Sequence, residues 1–152
     1  MADAPMTIEV AFDSGYFREP NVSGLPAKAG VYCVYTCTYN KDNKPKPTVT
    51  IAKLVYIGES GDILNRVSNH DLWPTWKKQL ATGQVICVSA ALVSPETTRQ
   101  RAEAALIFQH TPPVNNEYTK VFTGFDTTTI KVSGEKAAKL TTTFIVKKDA
   151  KR

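Results

Sequence analysis

A chain of 152 residues with 42% hydrophobic and 22% charged side chains has the composition of one soluble globular domain built on a single core. No apolar run approaches the roughly 20 residues that cross a bilayer, and the opening MADAPMTIEVAFD lacks the basic–apolar–small order of a signal peptide, so no membrane association is expected and a cytoplasmic setting is. The formal charge is +5 and it is unevenly spread: residues 1–130 hold 12 Lys+Arg against 12 Asp+Glu, residues 131–152 seven against two.

That C-terminal excess has two readings, a polyanion contact through counterion release or a solvated tail that aids solubility. Cys33 and Cys37 stand four apart in a predicted strand, sharing a face, and cannot form a tight CxxC redox or zinc pair. Together with Cys87 they read as reduced, partly buried thiols packed as small hydrophobes.

In chain order, the first predicted element is a strand over Thr7–Phe12, followed by Gly- and Pro-punctuated loop to about Ala29. GVYCVYTCTY, Gly30–Tyr39, is rich in Val, Tyr and Thr and reads as a strand. A polar loop, NKDNKPKP (Asn40–Pro47), leads to a returning strand over Val49–Ile57. That loop is longer than the usual two to five or so residues of a hairpin. Ser60 offers an N-cap for a helix reaching about His70, with Asp62 in its positive first turn. Ile63, Leu64 and Val67 supply its buried stripe.

Trp73–Thr82 reads as a short second helix with Pro74 in its first turn, and Gln84–Val93 as a third strand. Ser94–Pro95–Glu96 is a helix start, and that helix runs to about Gln109, where TPP stops it. VFTGF, TTTIKV and TTTFIV read as two or three further short strands. The sum is an α+β protein of order β-β-α-(α)-β-α with a β-rich C-terminal extension.

Several residues have no role in that packing scheme. Glu103 stands in RAEAALIF, a helix apolar around most of its circumference and therefore largely buried. An unpaired buried carboxylate costs several kcal/mol. Glu103 must then pair with Arg99 one turn back, pair with a distant lysine, or face a cleft. Arg66 and His70 lie one helical turn apart on one face; a surface arginine and a helix-end histidine on the C-terminal dipole would also account for them. Tyr32 and Tyr56 sit on paired strands, where sheet packing is the alternative. Gly58, after Tyr56, permits close approach of a backbone or ligand. Gly58–Glu59–Ser60–Gly61 fits neither GxxxxGK[ST] nor GxGxxG, which excludes those nucleotide loops.

Taken together, these residues resemble the GIY-YIG nuclease superfamily. Gly30–Val31–Tyr32 matches its first half-motif and Tyr56–Ile57–Gly58 its second. Arg66 matches the family's helix arginine and His70 the histidine that follows. Glu103 matches the metal-binding glutamate, and Asn115, in PPVN, the asparagine after a helix-ending proline. The resemblance spans about Leu25 to Asn116. It departs from the family in GVY for GIY and in the long hairpin loop.

The resemblance implies a catalytic core over 25–118, with a three-stranded, mainly antiparallel sheet flanked by helices; length and charge pattern add a basic β-rich extension over 119–152 within one domain over 1–152. It implies a metal-dependent endonuclease acting on DNA, with RNA also open, as monomer or homodimer. Glu103 would hold a divalent ion, Mg²⁺ with Mn²⁺ as a substitute. Arg66 would clamp the phosphate. Tyr32 would be the general base, its pKa lowered by Arg66 and the metal, with Tyr56 in support. His70 would relay a proton or hydrogen-bond Tyr32, Asn115 would brace the site, and Gly58 would let the phosphate come close. Lys131, Lys147 and Lys148 are the nucleic-acid contacts expected in the extension. The alternatives are a nucleic-acid-binding module of the same fold that no longer cuts, and a protein-interaction domain.

Overall fold

The computed structural model describes residues 3–152; Met1 and Ala2, at the head of the N-terminal stretch, lie outside them. Along the chain run β1 (Met6–Ala11), β2 (Phe17–Arg18), a 3-10 helix (Glu19–Gly24), β3 (Gly30–Asn40), β4 (Thr48–Ser60), α1 (Ile63–Ser68) and α2 (Trp73–Lys77). β5 (Gln84–Leu92), α3 (Glu96–His110), β6 (Thr128–Ser133) and β7 (Thr143–Val146) follow. The protein is α+β: among the described residues there are two sheets and four helices, of which only α3 is long. No described helix is long and apolar enough to cross a membrane.

β3 organises the fold because it is apolar on both faces. Val31, Cys33, Tyr35 and Cys37 join the core under α3, while Tyr32 and Val34 join a second cluster beneath α1 and α2, around the fully buried Trp76. A strand covered on both sides reads as a continuous run rather than an alternation. β3 pairs antiparallel with β4 on one side and β5 on the other. The three strands expected of the core are therefore adjacent, but the sheet has four, because Phe17–Arg18 adds to β5 in the order β2-β5-β3-β4. A two-residue strand carries too short a pattern to be read from sequence.

The first predicted strand joins the other sheet. β1 pairs in parallel with β6, and β7 pairs antiparallel with β6. The N-terminal strand and the C-terminal extension thus share one sheet, whose inner residues Ile8, Val10, Ile130, Val132, Phe144 and Val146 pack into the same core as β3 and α3. VFTGF forms no strand; Val121 makes an isolated bridge to Lys151.

Two helix starts differ from expectation. Asp62, not Ser60, caps α1, its side chain accepting from the Asn65 amide at 3.1 Å, because β4 runs on through Ser60. At α3 the cap is Pro95, and the helix opens at Glu96. α1 also stops at Ser68, short of His70, where the Trp73 indole donates to the Val67 carbonyl at 2.8 Å. The three cysteines are free and buried.

Candidate active site

Where β4 ends and α1 and α3 converge, a cleft of about 420 Å³ opens, lined by Tyr32, Tyr56, Glu59, Arg66, Glu103, Glu117 and Tyr118 among others. Four of the sequence-derived residues, drawn from β3, β4, α1 and α3, therefore meet at one hollow. A larger adjoining hollow of about 580 Å³, floored by Asn115–Val121, holds neither the arginine nor the buried glutamate.

Glu103 is half-buried on a helix whose neighbouring positions Ala102, Ala104 and Ala105 are fully buried. The pairing with Arg99 does not occur: that guanidinium goes to Glu59, with Glu96 at 3.8 Å. Among the described residues Glu103 has no ion-pair partner. Burial pushes its pKa up to about 8, and the charges of Glu59 and Glu117 push the same way. A backbone contact from Glu59 and the Arg99 charge oppose this without reversing it.

This is a crowded carboxylate that a cation would relieve. Among the described residues no three metal-ligating side chains converge on one point. Glu103 is the residue that could hold a metal here, as the one protein carboxylate of a hard divalent ion that keeps its waters.

Tyr32 reaches the cleft from the middle of the sheet, and Gly58 is what lets it. A Cβ built on Gly58 would stand 2.4 Å from both Cζ and the hydroxyl oxygen of Tyr32. The space that the glycine leaves is thus filled by the tyrosine ring, in place of the close phosphate approach expected of it. Gly30 is held to glycine as tightly, a Cβ there falling 2.0 Å from the Ala91 carbonyl oxygen across the ladder. Tyr32 is 1% exposed, and burial, reinforced by Tyr56, raises its pKa well above the ordinary phenol value; Arg66 pulls the other way but does not win. The lowering that a general base needs is absent from the protein alone. Tyr56, half-buried, is raised as well, by burial first and Glu103 second.

Arg66 is exposed and makes no ion pair among the described residues; its guanidinium stands beside Tyr32, where it acts on the hydroxyl by charge and by hydrogen bonding. His70 departs furthest from expectation. It is 5% exposed, just past the end of α1. Its Nδ1 accepts from the Leu72 amide at 3.1 Å, which leaves the proton of the neutral ring on Nε2. The ring lies 4.6 Å from Trp76 and edge-on to Tyr56 and Tyr32 at 5.5 and 6.4 Å. Among the described residues Nε2 has no hydrogen-bond partner, so the expected bond to Tyr32 is not made. Burial, with Arg66 adding, lowers its pKa to about 4. The ring thus packs against both tyrosines, with Asp71 at 3.4 Å from Nδ1 opposing the shift.

Asn115 performs a bracing task that can be stated bond by bond. Its Oδ1 accepts from the Ile57 amide and its Nδ2 donates to the Ile57 carbonyl, both at 2.9 Å. Val114 N–H donates to Val55 C=O at 3.0 Å. β4 is an edge strand, and this side chain supplies what a neighbouring strand would, fixing the backbone between Tyr56 and Gly58.

Lys131, Lys147 and Lys148 are not brought to the cleft: Lys131 is exposed on the second sheet opposite Glu9 in register, and the other two follow β7. The sequence reading missed Glu59, Glu117 and Tyr118. The acid next to Gly58 was a visible signal for Glu59. Tyr118 carried none, since its place depends on a left-handed backbone, φ 60°.

Comparison with protein-family models, with curated proteins and with solved structures finds no match.

Proposed function

We propose that this chain is a metal-dependent endonuclease of the GIY-YIG type that hydrolyses phosphodiester bonds of DNA. One observation carries the reading: Glu103, the acid in an apolar helix, faces the hollow shared by Tyr32, Tyr56 and Arg66 and is not consumed by Arg99. Sheet packing alone gives no reason for an arginine and a proton-holding glutamate to meet there.

In this reading Arg66 holds the phosphate by forked, charge-assisted bonds and offsets the charge that develops on it. Glu103 holds a divalent ion, Mg²⁺ or Mn²⁺, which when bound supplies Lewis-acid polarisation of a phosphate oxygen. Before it can do so Glu103 must lose its proton, so ion binding competes with protonation near pH 8. Tyr32 would be the base only as the phenolate: its own proton must first pass to solvent, a loss that the Arg66 charge favours and burial opposes, after which its oxygen takes a proton from the attacking water. Tyr56 lines the cleft beside Tyr32, ring centroids 6.3 Å apart, and Asn115 keeps the Tyr56–Gly58 backbone at its register. One such site cuts one strand; a monomer would nick, and a homodimer would place two sites on a duplex. A cytoplasmic enzyme with RNA as a further substrate fits the same chemistry.

One observation favours a second reading, a nucleic-acid-binding domain of this type that no longer cuts. Tyr32 is buried and held protonated. Supercoiled-plasmid nicking with Mg²⁺ or Mn²⁺ separates the two. The enzyme reading expects relaxation by the wild type and loss of it in Tyr32→Phe and Arg66→Ala. Tyr32→Phe that nicks as fast as wild type removes the base role. Metal-independent binding with no nicking at any pH supports the second reading.

A further inference from the structure

The same β3 strand that ends at the cleft carries a second hollow at its other end, of about 470 Å³ and of opposite charge. Arg18, Lys46 and Lys136 line it beside Tyr16 and Tyr39, and no acidic side chain does. The cleft, by contrast, has three glutamates and one arginine. None of the three cations is in an ion pair among the described residues. Like charges gathered without counter-charge repel one another, so their positions call for a cause.

Packing supplies it for Lys136 and Arg18 but not for Lys46. The Lys136 backbone is pinned at both ends, its N–H donating to Phe12 C=O at 2.9 Å and its C=O accepting from the buried Ser89 hydroxyl at 2.7 Å. Its ammonium lies 5.6 Å from the Tyr16 ring centroid. Tyr16 is fixed in turn, accepting from the Ala138 N–H at 3.1 Å, while the Tyr35 hydroxyl donates to the Ala138 carbonyl at 2.8 Å. Arg18 is held in β2, opposite Cys87, with its guanidinium 3.7 Å from the Tyr39 ring centroid. Lys46 comes from the long hairpin loop, which neither the core nor the cleft uses.

Cations braced on aromatic rings, in a hollow of the size that holds a small ligand, match the chemistry of a nucleic-acid backbone: ammonium and guanidinium groups for successive phosphates. We propose that this hollow is a second nucleic-acid site, gripping the sugar–phosphate backbone away from the cleft. From Tyr32 to Tyr39 the strand rises about 23 Å. The grip therefore lies well away from the cleft along the strand. From the nuclease reading the proposal takes only the substrate class; it needs no cleavage.

The test is fluorescence anisotropy of a labelled DNA oligonucleotide of roughly 20 nucleotides, long enough to reach both hollows. The full chain carries Glu103→Gln and no divalent metal is added, so that nothing is cut. Replacing Arg18, Lys46 and Lys136 together by Gln is expected to weaken binding at least about tenfold and to flatten the log K against log[salt] slope by about 2 to 3. Replacing Lys131, Lys147 and Lys148 by Gln removes the same charge from the second sheet and is expected to cost less than about threefold.

Equal losses in the two triple variants would show that affinity follows net charge, and would overturn the site, as would wild-type binding by the first. Should the first triple fail to fold, Lys46→Gln, on an exposed loop, must alone reduce the slope by about 1, and an unchanged slope overturns the proposal. A protein that nicks while the first triple binds as wild type loses this site and keeps the cleft. One that never nicks but shows the expected slopes does the reverse.

Discussion

Glu103 and Gly58 show how a single position can be decided by what it touches. The carboxyl of Glu103 is protonated more readily in the folded chain, pKa about 8, than at the ordinary value of 4.5 from which it is raised. A raised acid stabilises the fold fully below the unfolded pKa and loses that contribution as pH rises from about 4.5 towards 8. Glu103→Gln, neutral throughout, should therefore match wild type near pH 5 and exceed it by about 1–3 kcal/mol at pH 8.5. Thermal melts at both values check this, and a variant less stable at pH 8.5 contradicts it. Added Mg²⁺ should raise the wild-type midpoint at pH 8.5 and leave that of Glu103→Gln unmoved.

At Gly58 the constraint is steric. Gly58→Ala puts a methyl group into the Tyr32 ring and is expected to cost about 1–3 kcal/mol. Gly61→Ala, whose Cβ would meet nothing nearer than an Arg99 nitrogen at 3.9 Å, should stay within about 0.5 kcal/mol. Denaturant midpoints for the pair decide it.

Among the elements, long strands and the long helix were legible because their patterns are strong. β3 and β4 were visible from β-branched and aromatic runs, and α3 from its capping segment and TPP stop. α1 and α2 proved shorter than their patterns suggested. Ser60 was kept in the sheet by pairing with Gly30, and the turn after Val67 was closed by the Trp73 indole, a contact no local pattern encodes. α3 hid more than it showed. Its arginines at 99 and 101 are buried, one paired to Glu59 and the other bonded to Thr128, Asp3 and backbone carbonyls of Ala4, Asp126 and Thr127. The burial argument applied to Glu103 applies equally to Arg101 and would have found it.

At the edge of the sheet, Asn115→Ala leaves both polar groups of Ile57 without their partner. The expected cost is about 1–3 kcal/mol, with faster amide exchange at Ile57. Wild-type protection there would mean that another group closes this edge.

At the scale of the molecule, the least legible feature was the second sheet. β1 and β6 pair in parallel across more than a hundred residues of chain, and nothing in either segment names its partner. The four cleft residues are less widely separated, and the family resemblance had already grouped them, because chemistry restricts residue types where packing only restricts hydrophobicity. His70 was placed near the tyrosines by that spacing, but its burial and tautomer depended on Trp76 and the Leu72 amide, which spacing does not encode. The Arg101 network ties α3 to the chain start and to β6, so the extension and the glutamate-bearing helix form one packed unit.

The central claim is that Glu103 arms this cleft for metal-dependent phosphodiester hydrolysis. Plasmid nicking by wild type and by Glu103→Gln, with Mg²⁺ and with chelator, across pH 6 to 9 (roughly the window around the raised Glu103 pKa), tests it most directly. The account expects metal-dependent nicking that climbs as pH approaches 8 and falls at least about a hundredfold in Glu103→Gln. Nicking by Glu103→Gln at the wild-type rate would contradict it.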